Sequence, residues 1–307
     1  MSSRKKQVLS ALLLLLTAAI WGLSFTAQVD AGKSGLGCFW FNGTRFFIGG
    51  CSLLPIVLLV GRRNRRRERA NPEVRTLVWP GILAGGLLFI ASSLQQLGIN
   101  LSQSAGKAGF ITGLYIVLVP LFSFLVFRKR VGLQIVVGAI LAVTGLYWLG
   151  VTPGEPILPG DLLVLAGSFF WAAHILWIDR MIGTCEPLRF SMLQFFTCGL
   201  LALGCAVLVE EVTPELLWAA RWSILYAGVL SSGVAYTLQI LGQRGCDPTV
   251  ASMILSLESV FGAVGGWLIG ERLSVRAWIG CALMLAGIFL SQLPSKGKRD
   301  RRSEPSS

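Results

Sequence analysis

The sequence has 307 residues, of which 54% are hydrophobic and only 14% are charged, and its mean hydropathy is +0.69. Charged residues make up about 25% of a soluble globular domain, so the composition excludes that class and indicates that the lipid bilayer is the main solvent. The net charge of +12 raises nucleic-acid binding as an alternative, but the placement of the basic residues argues against it.

Ten apolar runs follow one another with short connections, and each is close to the ~20 residues that a helix needs to cross the hydrocarbon core. We therefore predict an all-α membrane protein with ten transmembrane helices. The first run follows basic residues, as in a signal peptide, but it is longer than a typical signal-peptide core, and we interpret it as a span. The predicted spans are 8–29, 38–60, 76–98, 104–127, 131–150, 160–178, 188–209, 220–242, 249–269 and 274–293.

The basic residues are distributed unevenly between the two sides of this arrangement. With a cytoplasmic N-terminus, most of the 27 lysines and arginines fall in inside segments, chiefly 4–6, 62–75, 128–130 and 296–302. An anionic-lipid or nucleic-acid patch is the alternative for the run at 62–75. The distribution follows the positive-inside rule, so we expect a multi-pass protein of a bacterial inner (plasma) membrane with both termini cytoplasmic. The predicted outside loops instead carry Glu155, Glu210, Glu211 and Glu215.

The two halves of the sequence resemble each other in order. Gln95 of span three aligns with Gln239 of span eight inside a similar five-residue run, and Trp21 of span one aligns with Trp171 of span six. Spans two and five align with spans seven and ten in the same way. Because each copy has an odd number of spans, the second copy enters the membrane from the opposite face. We predict a first five-helix repeat at 1–150, a second, inverted repeat at 151–293 and a cytoplasmic polar tail at 294–307.

Three features carry a family resemblance. They are the tryptophan in the first span of each half, the stretch from Ala108 to Tyr115 that leads to Pro120, and Ser256-Leu257-Glu258-Ser259 leading to Gly270-Glu271-Arg272-Leu273. In these features the sequence is similar to the drug/metabolite transporter superfamily, and within it to the ten-span EamA type. The resemblance implies a secondary transporter and favours export.

Two positions depart from the pattern of that family. Ser259 stands where the family often has a proline after the glutamate of span nine, which removes the usual cause of a kink there. Lys129 stands where the family often has an acidic residue before span five, which removes a charge pairing at that loop.

Glu258 is the most informative single residue, because it lies near the middle of span nine. An ionised carboxylate at that depth costs about 2.5 to 3.5 kcal/mol on insertion scales, so it should face a polar cavity or a partner. We interpret Glu258 as the candidate for coupling transport to protons. The alternative is a carboxylate held by local donors that fixes span nine in place.

Aromatic and hydrogen-bonding residues share faces of the first span in each half. Trp21 and Ser24 lie on one face of span one, and Trp171 and His174 lie on the corresponding face of span six. We expect these residues to line a substrate cavity. For His174, the only histidine, a packing role is the alternative, and a metal site is not expected because no second ligand lies one turn away.

Other polar residues fall inside predicted spans and should face the bundle interior. Lys107 is expected to snorkel from the outer end of span four, and Arg45 is expected to anchor at the outer interface. The alternative for Lys107 is to face the cavity, where it would favour anionic substrates. Gln95 and Gln239 could bind a ligand or tie helices together. The further cavity candidates are Gln95, Thr112, Tyr115, Tyr236 and Gln239.

The predicted function is movement of a small metabolite or amphipathic compound, amino-acid-like or drug-like, by alternating access around a cavity between spans one, three, four, six, eight and nine. The sequence has no P-loop, H-E-x-x-H or G-x-S-x-G motif, so we expect a gradient-driven transporter rather than an enzyme, without a cofactor or metal. A non-transporting scaffold or sensor, and an intramembrane enzyme, are the alternatives. The expected partners are a small-molecule substrate, the bilayer and coupling protons, without nucleic acid, and the sequence is compatible with a homodimer.

Overall fold

A computed structural model describes residues 3–66, 74–128, 132–154, 156–184, 186–268 and 273–291. Within these ranges the chain consists of helices and short connections, with no strand. The predicted tail at 294–307, Lys129, Glu155 and the Gly270-Glu271-Arg272 segment lie outside the described residues, as does part of the basic run at 62–75. The helices are α1 (Ser3–Lys33), α2 (Cys38–Arg66), α3 (Val74–Ser102), α4 (Ala105–Gly113), α5 (Tyr115–Phe127), α6 (Leu133–Gly150), α7 (Pro159–Met181), α8 (Pro187–Val209), α9 (Pro214–Ala219), α10 (Arg221–Leu225), a π-helix (Tyr226–Tyr236), α11 (Thr237–Gln243), α12 (Pro248–Leu255), α13 (Glu258–Leu268) and α14 (Val275–Ser291).

The helices have the length and composition of membrane spans. In the described part of the chain, nine helical stretches are long and apolar enough to cross a bilayer, and they match the first nine predicted spans. The tenth predicted span corresponds to α14, a shorter apolar helix. The prediction of an all-helical membrane protein is therefore confirmed.

Several helices begin where the sequence provides a capping residue. Glu186 accepts hydrogen bonds from the backbone N–H groups of Leu188 and Arg189 at the start of α8, and Asp247 accepts one from Thr249 at the start of α12. Each cap is followed by a proline at the first helical position, where its missing N–H costs nothing. These caps fix the ends of the connections between spans.

Spans four and nine are each broken into two helices at corresponding positions. The first break lies at Leu114, between α4 and α5, and the second at residues 256–257, between α12 and α13. At the second break Leu257 N–H bonds to the carbonyl of Ile254, and the Ser256 hydroxyl bonds to the carbonyl of Met253, in place of regular helical bonds. Serine hydroxyls that bond back to the preceding turn bend helices. Span nine is therefore interrupted at residues 256–257, although Ser259 stands where the family often has a proline.

Span eight contains the π-helical stretch Tyr226–Tyr236. Small residues there allow close approach to α2: a Cβ placed on Gly233 would meet the Ser52 hydroxyl, and one on Gly228 would lie 2.8 Å from the Ile48 side chain. Isolated π-helical turns are frequent at functional sites. No pattern in the amino-acid sequence predicts this π-helix.

Candidate functional site

A cavity lies inside the bundle where the helices of both halves of the chain meet. It is bordered by α1, α2, α3, the broken spans four and nine, α7 and span eight. The volume open to the centre of a water molecule is about 40 Å³, which is room for a few waters. The residues lining it are Trp21, Ser24, Phe25, Gln28, Arg45, Gln95, Thr112, Tyr115, Trp171, Ile175, Ser231, Tyr236, Gln239 and Glu258. The structure thus brings together all the predicted site residues except His174.

Glu258 and Tyr115 lie at the two helix breaks and face each other. Glu258 begins α13, Tyr115 begins α5, and the Tyr115 hydroxyl donates a hydrogen bond to Glu258 Oε1 at 3.1 Å. The Glu258 side chain is 4% exposed and borders the cavity. The break in span nine therefore presents a carboxylate to the cavity, next to a single phenolic donor.

Gln95 is the centre of a hydrogen-bond network on one wall. Its Oε1 accepts bonds from Trp171 Nε1 at 2.8 Å and from the Thr112 hydroxyl at 3.3 Å, and its amide donates to Gln28 Oε1 at 2.9 Å. These bonds join α1, α3, α4 and α7. Gln239, its counterpart in the second half, has a buried carbonyl oxygen without a partner among the described residues. The two glutamines therefore differ: the first ties helices together, and the second borders the cavity with an oxygen that has no partner among the described residues.

Aromatic rings form a second wall. Tyr236 makes an edge contact with Trp21, with ring centroids 4.7 Å apart, and stacks against Trp171 at 6.3 Å. Trp21 Nε1 donates to the backbone carbonyl of Ser231 at 3.1 Å, inside the π-helix. The wall combines flat apolar surface with anchored indole N–H groups, which suits a ligand that is partly apolar.

The comparison with protein families agrees with this geometry. The model of the EamA-like transporter family matches the chain twice, over residues 8–151 and 158–293. The chain belongs to the EamA-like transporter family.

Several relatives of this EamA-like protein are transporters by name. It is 28% identical over 289 residues to an "Uncharacterized transporter" of Archaeoglobus fulgidus, covering 94% of this chain and 87% of that protein. It is 23% identical over 245 residues to the "Aromatic amino acid exporter YddG" of Salmonella typhimurium, covering 73% and 81%. It is also 23% identical over 307 residues to the "Probable amino-acid metabolite efflux pump" of Escherichia coli, covering 94% and 95%.

A solved structure has the same fold. A crystal structure superposes on this chain with a TM-score of 0.74 at 20% identity, covering 96% of this chain and 99% of the other. With the family match and the nine apolar spans, this identifies a multi-pass membrane protein of a transporter family.

His174 lies behind the cavity wall of this EamA-like protein. It is fully buried, its Nε2 lies 2.9 Å from Gln194 Oε1, and its ring contacts those of Trp171 and Tyr236 at 6.1 and 6.0 Å. His174 therefore supports two lining rings without bordering the cavity.

Two charged residues lie elsewhere than expected. Arg45 does not anchor at the outer interface: it is 4% exposed and lines the cavity. Lys107 does not snorkel: its Nζ lies 2.7 Å from the Asp161 carboxylate and donates to the carbonyl of Pro156. The ion pair joins α4 to the start of α7, and Asp161 also accepts a hydrogen bond from Leu158 N–H there. Both side chains are buried because protein, and not lipid or water, surrounds these helix ends.

Proposed function

We propose that this EamA-like protein is a gradient-driven secondary transporter that exports a small amphipathic metabolite, amino-acid-like or drug-like, across a bacterial inner membrane. The observation that carries the proposal is the central cavity, where polar and aromatic residues of both halves meet at the breaks in spans four and nine. Broken helices around a binding site inside the membrane are a recurring feature of secondary transporters.

The proposal includes two five-helix halves of opposite orientation, at 1–150 and 151–293. In the alignment of the halves, Gly138 corresponds to Gly280 and Gly145 to Gly287. In the structure, a Cβ on Gly138 would lie 2.5 Å from the carbonyl of Gly287, and one on Gly145 would lie 2.5 Å from that of Gly280. Each glycine packs against the counterpart of the other, as expected for helices related by a twofold axis.

A second contact supports the same relation. Gly98 of α3 packs against the backbone of Gly160 in α7, and Gly242, which aligns with Gly98, packs near the backbone of Ser10 in α1. Ser10 aligns with Gly160 when Trp21 is aligned with Trp171. The double match of the family model to the chain also supports duplication.

Transport by alternating access requires the cavity to change size. A volume of about 40 Å³ for water centres is too small for an amino acid, so helices or side chains must move when a solute enters. Motion of one half against the other about a central site is the mechanism expected of inverted repeats. The distribution of basic residues supports a cytoplasmic location for both termini, as the positive-inside rule requires.

Glu258 is the proposed proton carrier. Carboxylates inside membrane proteins mark ion pathways and proton relays, and this one borders the cavity and accepts a hydrogen bond from the Tyr115 hydroxyl. A proton on Glu258 removes a buried charge from the wall, so protonation and solute binding at the same cavity can be coupled. The names of two relatives, an aromatic amino acid exporter and a probable amino-acid metabolite efflux pump, point to amino-acid-like solutes as the first to test.

The test is flux through purified protein in liposomes under an imposed pH gradient. The solutes are labelled L-phenylalanine, L-leucine and the amphipathic cation ethidium, which cover both proposed classes. We expect pH-driven flux of at least one of them, and its loss in Glu258→Gln. Glu215→Gln, which changes an exposed carboxylate on α9, is the matched control and should behave as the wild type.

Two results would contradict the proposal. Folded protein that moves none of the solutes, at any gradient, would favour the non-transporting scaffold or sensor. Undiminished pH-driven flux in Glu258→Gln would leave transport standing and remove proton coupling through this residue.

A further inference from the structure

Arg45 is a buried cation inside the helical bundle. It lies in α2, is 4% exposed, and borders the same cavity as Trp21, Tyr236 and Glu258. Arginines inside membrane proteins are costly, and they face a partner, a water-filled cavity or a substrate pathway. The buried charge of Arg45 therefore requires a compensating partner.

The described residues bring aromatic faces to Arg45 but no carboxylate within ion-pairing distance. Its guanidinium lies 4.5 Å from the ring centroid of Phe46 and 5.2 Å from that of Phe41. Among the described residues it makes no ion pair, and its Nε is buried without an acceptor. A guanidinium has five N–H donors in a planar fork, and two rings satisfy none of them, so the site lacks an acceptor that an anionic ligand would provide.

The other half of the chain shows that the fold does not need a cation at this point. The run Arg45-Phe46-Phe47 aligns with Gln194-Phe195-Phe196, and Phe46 stacks on Phe195 with centroids 6.1 Å apart. Gln194, at the position of Arg45, is a neutral amide that bonds to His174. The same packing is thus built around an uncharged residue in the second half, and the charge in the first half requires another explanation.

We propose that Arg45 binds the carboxylate of the transported solute, so that the substrate class is small organic carboxylates with an aromatic or apolar body. A carboxylate matches the planar fork with two parallel hydrogen bonds. The rings of Trp21, Trp171 and Tyr236 on the same cavity would contact the apolar body. This inference rests on the proposed function for its biological meaning, but binding at equilibrium tests it without any gradient.

The experiment measures binding of three probes to the purified full-length chain in detergent or nanodiscs. L-phenylalanine carries a carboxylate and an amine, 3-phenylpropionate carries the carboxylate alone, and phenethylamine carries the amine alone. We expect the wild type to bind both carboxylates at least about tenfold more tightly than phenethylamine, as loss of a charged hydrogen-bond partner implies. Arg45→Gln should lose that preference, and Arg45→Lys should keep part of it.

The variants are matched to separate binding from folding. Arg45→Gln places the residue of the second half at the equivalent position, and thermal unfolding checks that the variant is folded. Arg276→Gln is the control, because Arg276 also lies over aromatic rings, 5.2 Å from the centroid of Tyr147, but does not border the cavity. It should bind the probes as the wild type does.

Three results would overturn the assignment of Arg45 as the carboxylate-binding residue. The first such result is a wild type that binds neither carboxylate or prefers phenethylamine. The second is an Arg45→Gln variant with unchanged carboxylate affinity. The third is an Arg276→Gln variant that loses the preference for carboxylates as Arg45→Gln does. Failure of the proposed function is distinct: carboxylates that bind through Arg45 without crossing the liposome membrane would remove transport and leave this site.

Discussion

Gly145 of α6 and Gly280 of α14 lie against each other's backbone, so that a Cβ on either glycine would lie 2.5 to 2.6 Å from the carbonyl oxygen of the other. Backbone atoms cannot yield as a flexible side chain does, so any side chain at these positions must separate the helices. Small residues that allow such approach are the main means of packing helices in lipid.

We therefore predict that Gly145→Ala and Gly280→Ala each lower the stability of the purified protein by about 1–3 kcal/mol, the range for overpacked sites. Gly204→Ala is the control, because a Cβ on Gly204 in α8 meets nothing within 4 Å. That variant should be as stable as the wild type or slightly more so, since alanine has the higher helix propensity. Thermal unfolding in one detergent compares the three, and equal melting temperatures would show that α6 and α14 do not pack as described.

The buried ion pair between Lys107 and Asp161 supports a second prediction. Each side chain compensates the charge of the other at 2.7 Å. Removing one member of a buried ion pair costs about 3–5 kcal/mol, whereas removing both costs much less. We expect Lys107→Met and Asp161→Asn each to be strongly destabilising, and the double variant to be more stable than the sum of the two losses implies. A double-mutant cycle measured by unfolding gives the coupling energy, and additive losses would argue against the pair.

The two aligned glutamines should respond differently to the same substitution. Gln95→Leu leaves the indole N–H of Trp171 and the hydroxyl of Thr112 without their acceptor, at about 1–3 kcal/mol for each buried group left unpaired. Gln239→Leu removes a carbonyl that has no partner among the described residues, so its stability should change less. Unfolding measurements compare the stabilities of the two variants. Flux measurements on Gln239→Leu test whether that residue contributes to binding, and equal destabilisation of the two variants would contradict the distinction.

The cavity was predictable because polar side chains in apolar helices have few alternatives to facing the interior. This reasoning found Gln95, Tyr236 and Glu258, and the family resemblance reinforced it. The misplacement of Arg45 has a physical cause. Arg45 was expected at the outer interface, but protein covers this end of α2: Phe41, over whose ring the guanidinium lies, packs with Leu36, Ala220 and Ile224.

Two other features of the backbone were not predicted from the sequence, and their causes differ. The π-helix of span eight has an ordinary apolar sequence, and its carbonyls at 231 and 235 bond to Trp21 and Thr17 of α1. The break at residues 256–257 occurs without proline, since serine hydroxyls compete for the backbone acceptors. The π-helix therefore follows from tertiary packing and only weakly from local propensity, whereas the break has a local cause in its serines.

The proposed opposite orientation of the two halves can be tested at the C-terminal ends of α1 and α7. Ser34 follows α1, Thr184 follows α7, and both hydroxyls bond to the carbonyl three residues earlier, so the two helix ends are structurally equivalent. If the halves are inverted, these equivalent ends lie on opposite sides of the membrane. In a variant without the native cysteines, Ser34→Cys should react with a membrane-impermeant maleimide on intact cells, and Thr184→Cys should react only after permeabilisation. Reaction of both from the same side would contradict the inversion, because five spans separate the two positions in the proposed topology.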